Sequence, residues 1–336
     1  HPGVKDLTPL KYTAVDSLSK ATFAPLTQLE QMAMPAALRA FEEKLFENNK
    51  KLRYVDFLQC MNTDLTGTNM EQMGLDTERT LLYLPASLNH IGGDNIVIAD
   101  ATTMHADKYY LVDSLDYMVP YAFEADKIEN TRKLKASDVA YTVCLPYEVY
   151  VPYGSYAYQL SQRDGNTLVF TEVTDGKLEA LKPYLLWVYG DDKLVANGIT
   201  LNAYDRQTVP ASADLGSRQD DAPGYSLRGT FRHIGNKEAA DLGAYILQSD
   251  GQWHPVSTSS QKAEILPFRA YLLPSDRNAR SHIQMSLFGD DTTGIDTIET
   301  IDRNGHSRYY DLQGHQIDQS KAKGVLIKNG KKMILN

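Results

Sequence analysis

The residues able to do chemistry are numerous in this chain but poorly grouped. Its eight histidines are scattered singly, and no His-Glu-x-x-His pair sets two ligands and a base on one helix face. Cys60 and Cys144 lie far apart with no Cys or His at ligand spacing and no nearby His to act as base, so they read as two buried free thiols. There is no Gly-x-Ser-x-Gly nucleophile elbow and no Gly-x-Gly-x-x-Gly dinucleotide loop. Residues 324–331 mimic a phosphate loop with one residue too many, and they sit on a hairpin rather than before a helix. Paired carboxylates could hydrolyse glycosides, with their separation in space deciding the outcome. Asp191-Asp192, Asp220-Asp221 and Asp290-Asp291 instead read as solvated turns, and none has the spaced ligands of a calcium loop. The expectation is a non-catalytic protein with no cofactor and no metal site. What remains is surface chemistry. Tyrosine is the compositional outlier, at 21 residues against nine Phe and two Trp. Tyr147, Tyr150, Tyr153, Tyr156 and Tyr158 form a dense cluster. Such rings could stack on sugars or simply pack a β-strand, and strand packing is the favoured reading.

The elements that must position these residues follow from composition and spacing. The chain has 336 residues, 42 % hydrophobic and 23 % charged, which is a globular composition with room for two or three domains. Its net charge of −9 argues against nucleic acid as a partner. No apolar run reaches the roughly 18 residues of a spanning helix, so no transmembrane segment is expected. The chain begins His-Pro-Gly, without an initiator Met or a signal sequence, and is read as cut from something longer.

A repeat organises the first hundred residues. Leu29, Met32 and Met34 recur as Leu52, Val55 and Phe57, and as Leu7, Leu10 and Tyr12 in an incomplete first copy. Phe23 and Phe46 precede the leucine equally in two copies, and Leu38 and Phe41 supply an apolar stretch between them. Apolar residues at i and i+2 face one side of a short strand. One such unit cannot bury its own row, so about three or more must stack. Residues 80–85 and 95–98 read as further strands, and residues 36–49 look helical in part.

These residues carry a resemblance. Residues 21–23, 29–35 and above all 45–57 resemble the BspA-like leucine-rich repeats of secreted and surface proteins of Bacteroidetes, with Met32 and Met34 replacing the commoner Ile and Leu. The resemblance implies a short solenoid with further repeats preceding His1. It also implies a strand face displaying Lys11, Ala33, Asp56 and Tyr83 in a row, flanked by Gln31 and Tyr54, as the binding surface.

From Tyr109 onward strands dominate. Val139, Tyr141, Val143 and Leu145 alternate on one face. Residues 155–160, 167–173, 184–189 and 198–201 read as short strands, with Asp164-Gly165-Asn166 as a hairpin turn. Residues 210–224 read as a linker. Strands resume at 226–231, 243–248, 253–256, 269–273 and 282–288. Segments such as 143–147, 183–185 and 267–272 resemble the β-rich region that often follows such repeats. The tail, from Tyr310-Asp311-Leu312-Gln313-Gly314 to Asn329-Gly330-Lys331-Lys332, resembles the closing segment of secreted Bacteroidetes proteins and, more loosely, a type IX secretion sorting domain. Residues 289–294 read as the joint before it. Lys321, Lys323, Lys328, Lys331 and Lys332 suit edge-strand protection.

The expected fold is mainly β. A leucine-rich-repeat solenoid with short helices spans 1–105, β-sandwich-like lobes span 106–209 and 225–290, and a small β tail spans 291–336. The expected function is that of an exported, extracellular or cell-surface monomer. It would adhere through the repeat face to a host or microbial surface protein or a polysaccharide. The rivals are a carbohydrate-binding accessory protein with a Tyr-rich β site and a hydrolase of another family.

Overall fold

The repeat spacing is realised as a ladder of short parallel strands. In a computed structural model of the chain, Asp6–Leu7, Gln31–Ala33, Tyr54–Asp56, Leu81–Pro85 and Ile96–Ala99 pair side by side in parallel. The structure describes residues 2–61, 63, 68–189, 193–216, 219–259, 262–276 and 283–288, and the strand residues 309–310, 316–317, 324–328 and 331–335. They fall in two compact units, His1–Phe288 and Gly289–Asn336.

The ladder keeps one apolar row in register. Met32 pairs with Val55, Val55 with Leu82, and Leu82 with Ile96, and all four are buried. Phe23 and Phe46, placed by the same spacing, meet edge to face with centroids 5.7 Å apart, as their ring quadrupoles favour. Asn49 closes the corner between copies. Its buried amide donates to the Phe23 and Leu26 carbonyls at 2.9 and 2.8 Å, pairing backbone groups that burial would otherwise leave costly.

The first copy sits in a different register from the one its spacing suggests. Leu7, not Leu10, pairs with Met32, because a one-turn 3₁₀ helix, Thr8–Tyr12, begins immediately after Leu7. Residues 36–49 form turns and the two-residue strand Ala40–Phe41 rather than a helix.

The ladder then continues into antiparallel and long parallel partners. Met104–Leu111 joins Ile96–Ala99, Phe123–Asn130 joins Met104–Leu111, and Gln207–Val209 closes an eight-stranded sheet. The position expected to end the first domain, residue 105, falls inside one of these strands.

A five-stranded sheet packs against this long sheet. It is built on Tyr141–Cys144, Pro183–Val188, Ser155–Asp164, Thr167–Glu172 and Gln284–Phe288. One face, with Val143, Ala157, Leu186 and Val188, shares a core with Tyr83, Tyr109, Phe123 and Ile128 of the long sheet. The opposite face, with Tyr158, Leu160, Phe170 and Leu185, shares a second core with Tyr225, Leu227, Trp253 and Leu272. Those four belong to another five-stranded sheet, of Gln219–Ala222, Tyr225–Thr230, Arg269–Pro274, Tyr245–Leu247 and Trp253–Pro255. The hairpin at Gly165, in left-handed conformation at φ 56°, joins two of the strands as expected.

Three expectations are corrected in this region. Residues 210–224, read as a linker, contain the turn Ser212–Asp214 and the strand Gln219–Ala222, with Ala211 and Ala222 buried. Asp220 and Asp221 therefore lie on a strand, not in a turn. Ile199 makes only an isolated bridge to Leu134 instead of starting a strand over 198–201. The expected joint at 289–294, with Asp290-Asp291, and the pair Asp191-Asp192 lie outside the described residues.

In the second unit, Gly324–Lys328 and Lys331–Leu335 pair antiparallel with Lys328 opposite Lys331, as expected of two apolar runs separated by two residues. Tyr309–Tyr310 and Gln316–Ile317 complete a four-stranded sheet. The protein is mainly β throughout.

Candidate functional site

The strand face expected to bind partners is covered, and the correction is residue by residue. Ala33, Tyr54, Asp56 and Tyr83 are 2, 7, 5 and 0 % exposed. The segment between the Met104–Leu111 and Phe123–Asn130 strands folds over them. Tyr83 meets the Tyr121 and Phe123 rings edge to face at 5.5 and 6.2 Å, and its hydroxyl donates to the Tyr121 carbonyl at 3.0 Å. Asp56 accepts the Leu58 N–H at 2.8 Å and the Tyr121 hydroxyl at 3.0 Å. Burial, and then the Asp56 carboxylate, push the Tyr121 phenol up to about 12. Gln31 stays half-buried in the ladder. Lys11 is not on the ladder at all. It lies in the Thr8–Tyr12 turn with its ammonium 5.1 Å from the Tyr12 ring centroid. A signal for this covering was present in the sequence. Leu81-Leu82-Tyr83-Leu84 is apolar at every position, as a strand buried on both faces must be.

The thiols do not supply a nucleophile. Cys60 and Cys144 are free and buried. Burial pushes the Cys60 thiol up to about 12 and raises that of Cys144 further.

The titratable clusters outside the ladder face are structural in character. His105, Asp107 and Asp126 bring ligand atoms within 4.8 Å of one another. However, Arg206 Nε already donates to Asp126 Oδ1 at 2.7 Å, beside His105 Nε2 at 3.1 Å from the same oxygen. The guanidinium holds the Asp126 carboxyl below its usual range, helped by His105.

Asp220 faces inward beside Leu227, its partner on the next strand. Its Oδ2 is buried with no hydrogen-bond partner among the described residues. Burial raises this carboxyl to about 6, with Lys182 opposing and Glu179 and Asp221 adding to the rise. Its strand is the outer one of its sheet, and an inward-pointing acid on an edge strand opposes pairing with a foreign strand.

The tyrosine cluster divides into core and surface. Tyr147 and Tyr158 are 1 and 6 % exposed. The Tyr147 hydroxyl donates to the Leu201 carbonyl at 2.6 Å. Tyr150 and Tyr153, by contrast, are 59 and 76 % exposed.

Tyr150 opens onto a cleft of about 210 Å³ whose opposite wall carries Tyr204, itself 71 % exposed. Backbone pairings tie both walls. The strand Val149–Tyr150 pairs with Lys177–Leu178. The facing wall is tied by the bridge of Ala203 to Ile128 and by the pairing of Gln207 with Ala125. Buried Val149 and Ala203 contribute apolar surface to the lining.

Polar groups line the same space, among them Glu148, Thr200, Asn202, Asp205 and Gln207. Asn202 and Glu148 among them are held by polar contacts. Asn202 accepts the Asn130 N–H through Oδ1 at 2.9 Å and donates through Nδ2 to the Tyr204 hydroxyl at 3.2 Å. Lysines brace the two rings from outside the cleft. The Lys177 ammonium lies 5.0 Å from the Tyr150 centroid and 2.7 Å from Glu148 Oε1. Its pKa is raised chiefly by that carboxylate. Lys127 lies 5.4 Å from the Tyr204 centroid and pairs with Glu129. Two exposed aromatic faces, an amide held by hydrogen bonds, and cations already paired with carboxylates suit an uncharged, hydroxyl-rich ligand with apolar C–H faces. Sequence reasoning singled out Tyr150 within its cluster but missed Tyr204, which stands 54 residues away from Tyr150 and reaches the cleft only through the Ile128–Ala203 bridge.

Comparison with known proteins finds no matching family model, no matching curated protein and no matching solved structure. Among the described residues no helix is long and apolar enough to cross a membrane.

Proposed function

We propose that this protein is a non-catalytic carbohydrate-binding protein that takes a neutral polysaccharide in the Tyr150–Tyr204 cleft. The observation that carries the reading is the pairing of two exposed tyrosines across a cleft lined by amide, hydroxyl and carboxylate groups, with backbone pairings tying both walls. The neutrality of the ligand follows from the pairing of Lys177 with Glu148 and of Lys127 with Glu129, which leaves no unpaired cation among these to draw an acidic sugar. We read it as an exported or cell-surface protein of the BspA-like leucine-rich-repeat kind, from the resemblance of residues 21–57. The in-register ladder of Met32, Val55, Leu82 and Ile96 supports the repeat, and the tail's likeness to secreted proteins supports export. The ladder then serves as scaffold, with its face packed against the rest of the unit, and adhesion to a polysaccharide replaces adhesion through that face.

The test is affinity electrophoresis of the purified chain through gels holding neutral or acidic polysaccharides, beside Tyr150→Ala/Tyr204→Ala. Retardation by a neutral polysaccharide, lost in the double variant and unchanged by added salt, is the expected result, since uncharged ligands are not screened. Retardation only by acidic polysaccharides, or undiminished binding in the variant, would overturn the reading.

A further inference from the structure

We propose that Tyr156, Trp187 and Tyr189 form a second station for the same neutral polysaccharide, so that one chain segment is gripped at two places. This rests on the cleft being a glycan site and adds to it a second contact and a dependence on ligand length.

The three rings share one end of the Ser155–Asp164 and Pro183–Val188 strands. Tyr156 pairs directly across from Trp187. Tyr156 and Tyr189 stack at 4.8 Å with their planes 9° apart, and Trp187 lies 6.2 Å from Tyr189. Side chains alternate along a strand, so Tyr156 and Trp187 stand on the face that carries Tyr158 and Leu185. Further along, that face is sealed by the outer sheet, where Tyr158 is 6 % exposed and Leu185 fully buried. At this end the cover stops. Tyr189 is 37 % exposed and Tyr156 and Trp187 are half-buried.

The rings are also locked before any ligand arrives. The indole Nε1 donates to the Ser137 carbonyl at 2.8 Å, and the two tyrosine hydroxyls are 3.3 Å apart. A locked, half-open aromatic cluster loses little side-chain freedom on binding. Its distance from the cleft is bounded by the chain itself. Tyr150 and Tyr156 are joined by six residue steps, a span of at most about 22 Å when fully extended. Exposed Tyr153 lies between them. On this proposal an oligosaccharide of several units touches both stations. Once it is held at one, the second contact is intramolecular, which raises affinity by about a hundredfold or more when the geometry allows both.

The chain carries its own reporter. Of its two tryptophans, Trp253 is fully buried and Trp187 belongs to the proposed station. The experiment titrates the intact chain with uncharged gluco- and manno-oligosaccharides, from disaccharide to long oligomer, following tryptophan emission and heat of binding together. The expected result is a rise in affinity of about a hundredfold from the shortest to the longest ligand that binds. A change in emission should appear only with the long ones and vanish in Trp187→Phe. Tyr189→Ala, at an exposed strand end, should remove the length dependence and leave the short-ligand affinity unchanged. Affinity that does not grow with length, or tight long-chain binding with unaltered Trp187 emission, would overturn the second station while leaving the cleft in place. Failure of every oligomer and every neutral polysaccharide to bind would overturn the cleft reading and this one with it.

Discussion

Tyr83 and Tyr204 carry the same ring and the same phenol, yet Tyr83 is 0 % exposed and Tyr204 is 71 % exposed. The Tyr83 hydroxyl ends on a backbone carbonyl inside the protein, whereas that of Tyr204 ends on the Asn202 amide at the rim of a cleft. The same contrast separates Asp56, which caps its own turn and receives Tyr121, from Glu148, which braces Lys177 in water. Residue type alone does not distinguish a binding surface from a packed one. What distinguishes them here is the segment that covers the ladder face and the absence of such a cover over the Tyr150 wall. The ladder is packed, and the loops and short strands beyond it carry the exposed aromatic surface of the proposed cleft, as expected when sites are built on connections held by a scaffold.

The contrast can be broken at several points. The largest effect should come from Tyr83→Ala, which empties a fully buried aromatic site and should cost about 3–5 kcal/mol in urea unfolding. A cost below about 1 kcal/mol would mean that the face is not packed as described. Gly229→Ala should follow. A Cβ at Gly229 would lie 2.2 Å from Cys144 Sγ, forcing apart the two sheets that close the second core, at about 1–3 kcal/mol. Cys144→Ala in the same chain should relieve part of that loss.

Asp220 gives a pH signature of the covered interior. Its folded pKa, about 6, lies above the ordinary carboxylate value of 3.8. The folded state therefore holds its proton more tightly than the unfolded state. The resulting stability is present below about pH 4 and is lost as pH rises through 6. Because the group is partly solvated, the expected size is on the order of 1 kcal/mol. Asp220→Asn should therefore be more stable than the parent above pH 6 and converge with it at pH 4. A difference that grows toward acid pH would reverse the assignment. The smallest stability effects should come from Tyr150→Ala and Tyr204→Ala, within about 0.5 kcal/mol, because surface truncations away from the core rarely cost more.

The ladder was largely legible in the sequence because its signal is local. The equal spacing from Met32 to Val55 and from Phe23 to Phe46 is a stacking rule written in residue types. It failed at the first copy, where Pro9 at the start of the 3₁₀ turn moved the strand ahead of the leucine that spacing alone would choose. The hairpin at Gly165 and the antiparallel pairing of Gly324–Lys328 with Lys331–Leu335 were legible for the same local reason. The long-range pairings were not. Nothing in the residues of Thr167–Glu172 announces that Gln284–Phe288 will lie parallel to it, or that Gln207–Val209 will close the long sheet. The cover over the ladder face was half legible, in the unbroken apolar run at 81–84. Its covering residues, Tyr117, Tyr121 and Phe123, come from a segment with no repeat signature. Tyr204 was invisible as a site residue because only the folded backbone sets it opposite Tyr150.

The most direct measurement compares two double variants in gels containing the neutral polysaccharide that retards the parent chain. Tyr150→Ala/Tyr204→Ala removes the cleft, and Lys11→Ala/Gln31→Ala removes Gln31 of the ladder together with Lys11 of the neighbouring turn, the two partly exposed residues of the surface first expected to bind. The account predicts that the first variant weakens binding by tenfold or more, as loss of central aromatic contacts does, and that the second binds as the parent does. Binding that survives the first and fails in the second would contradict it and return the site to the ladder.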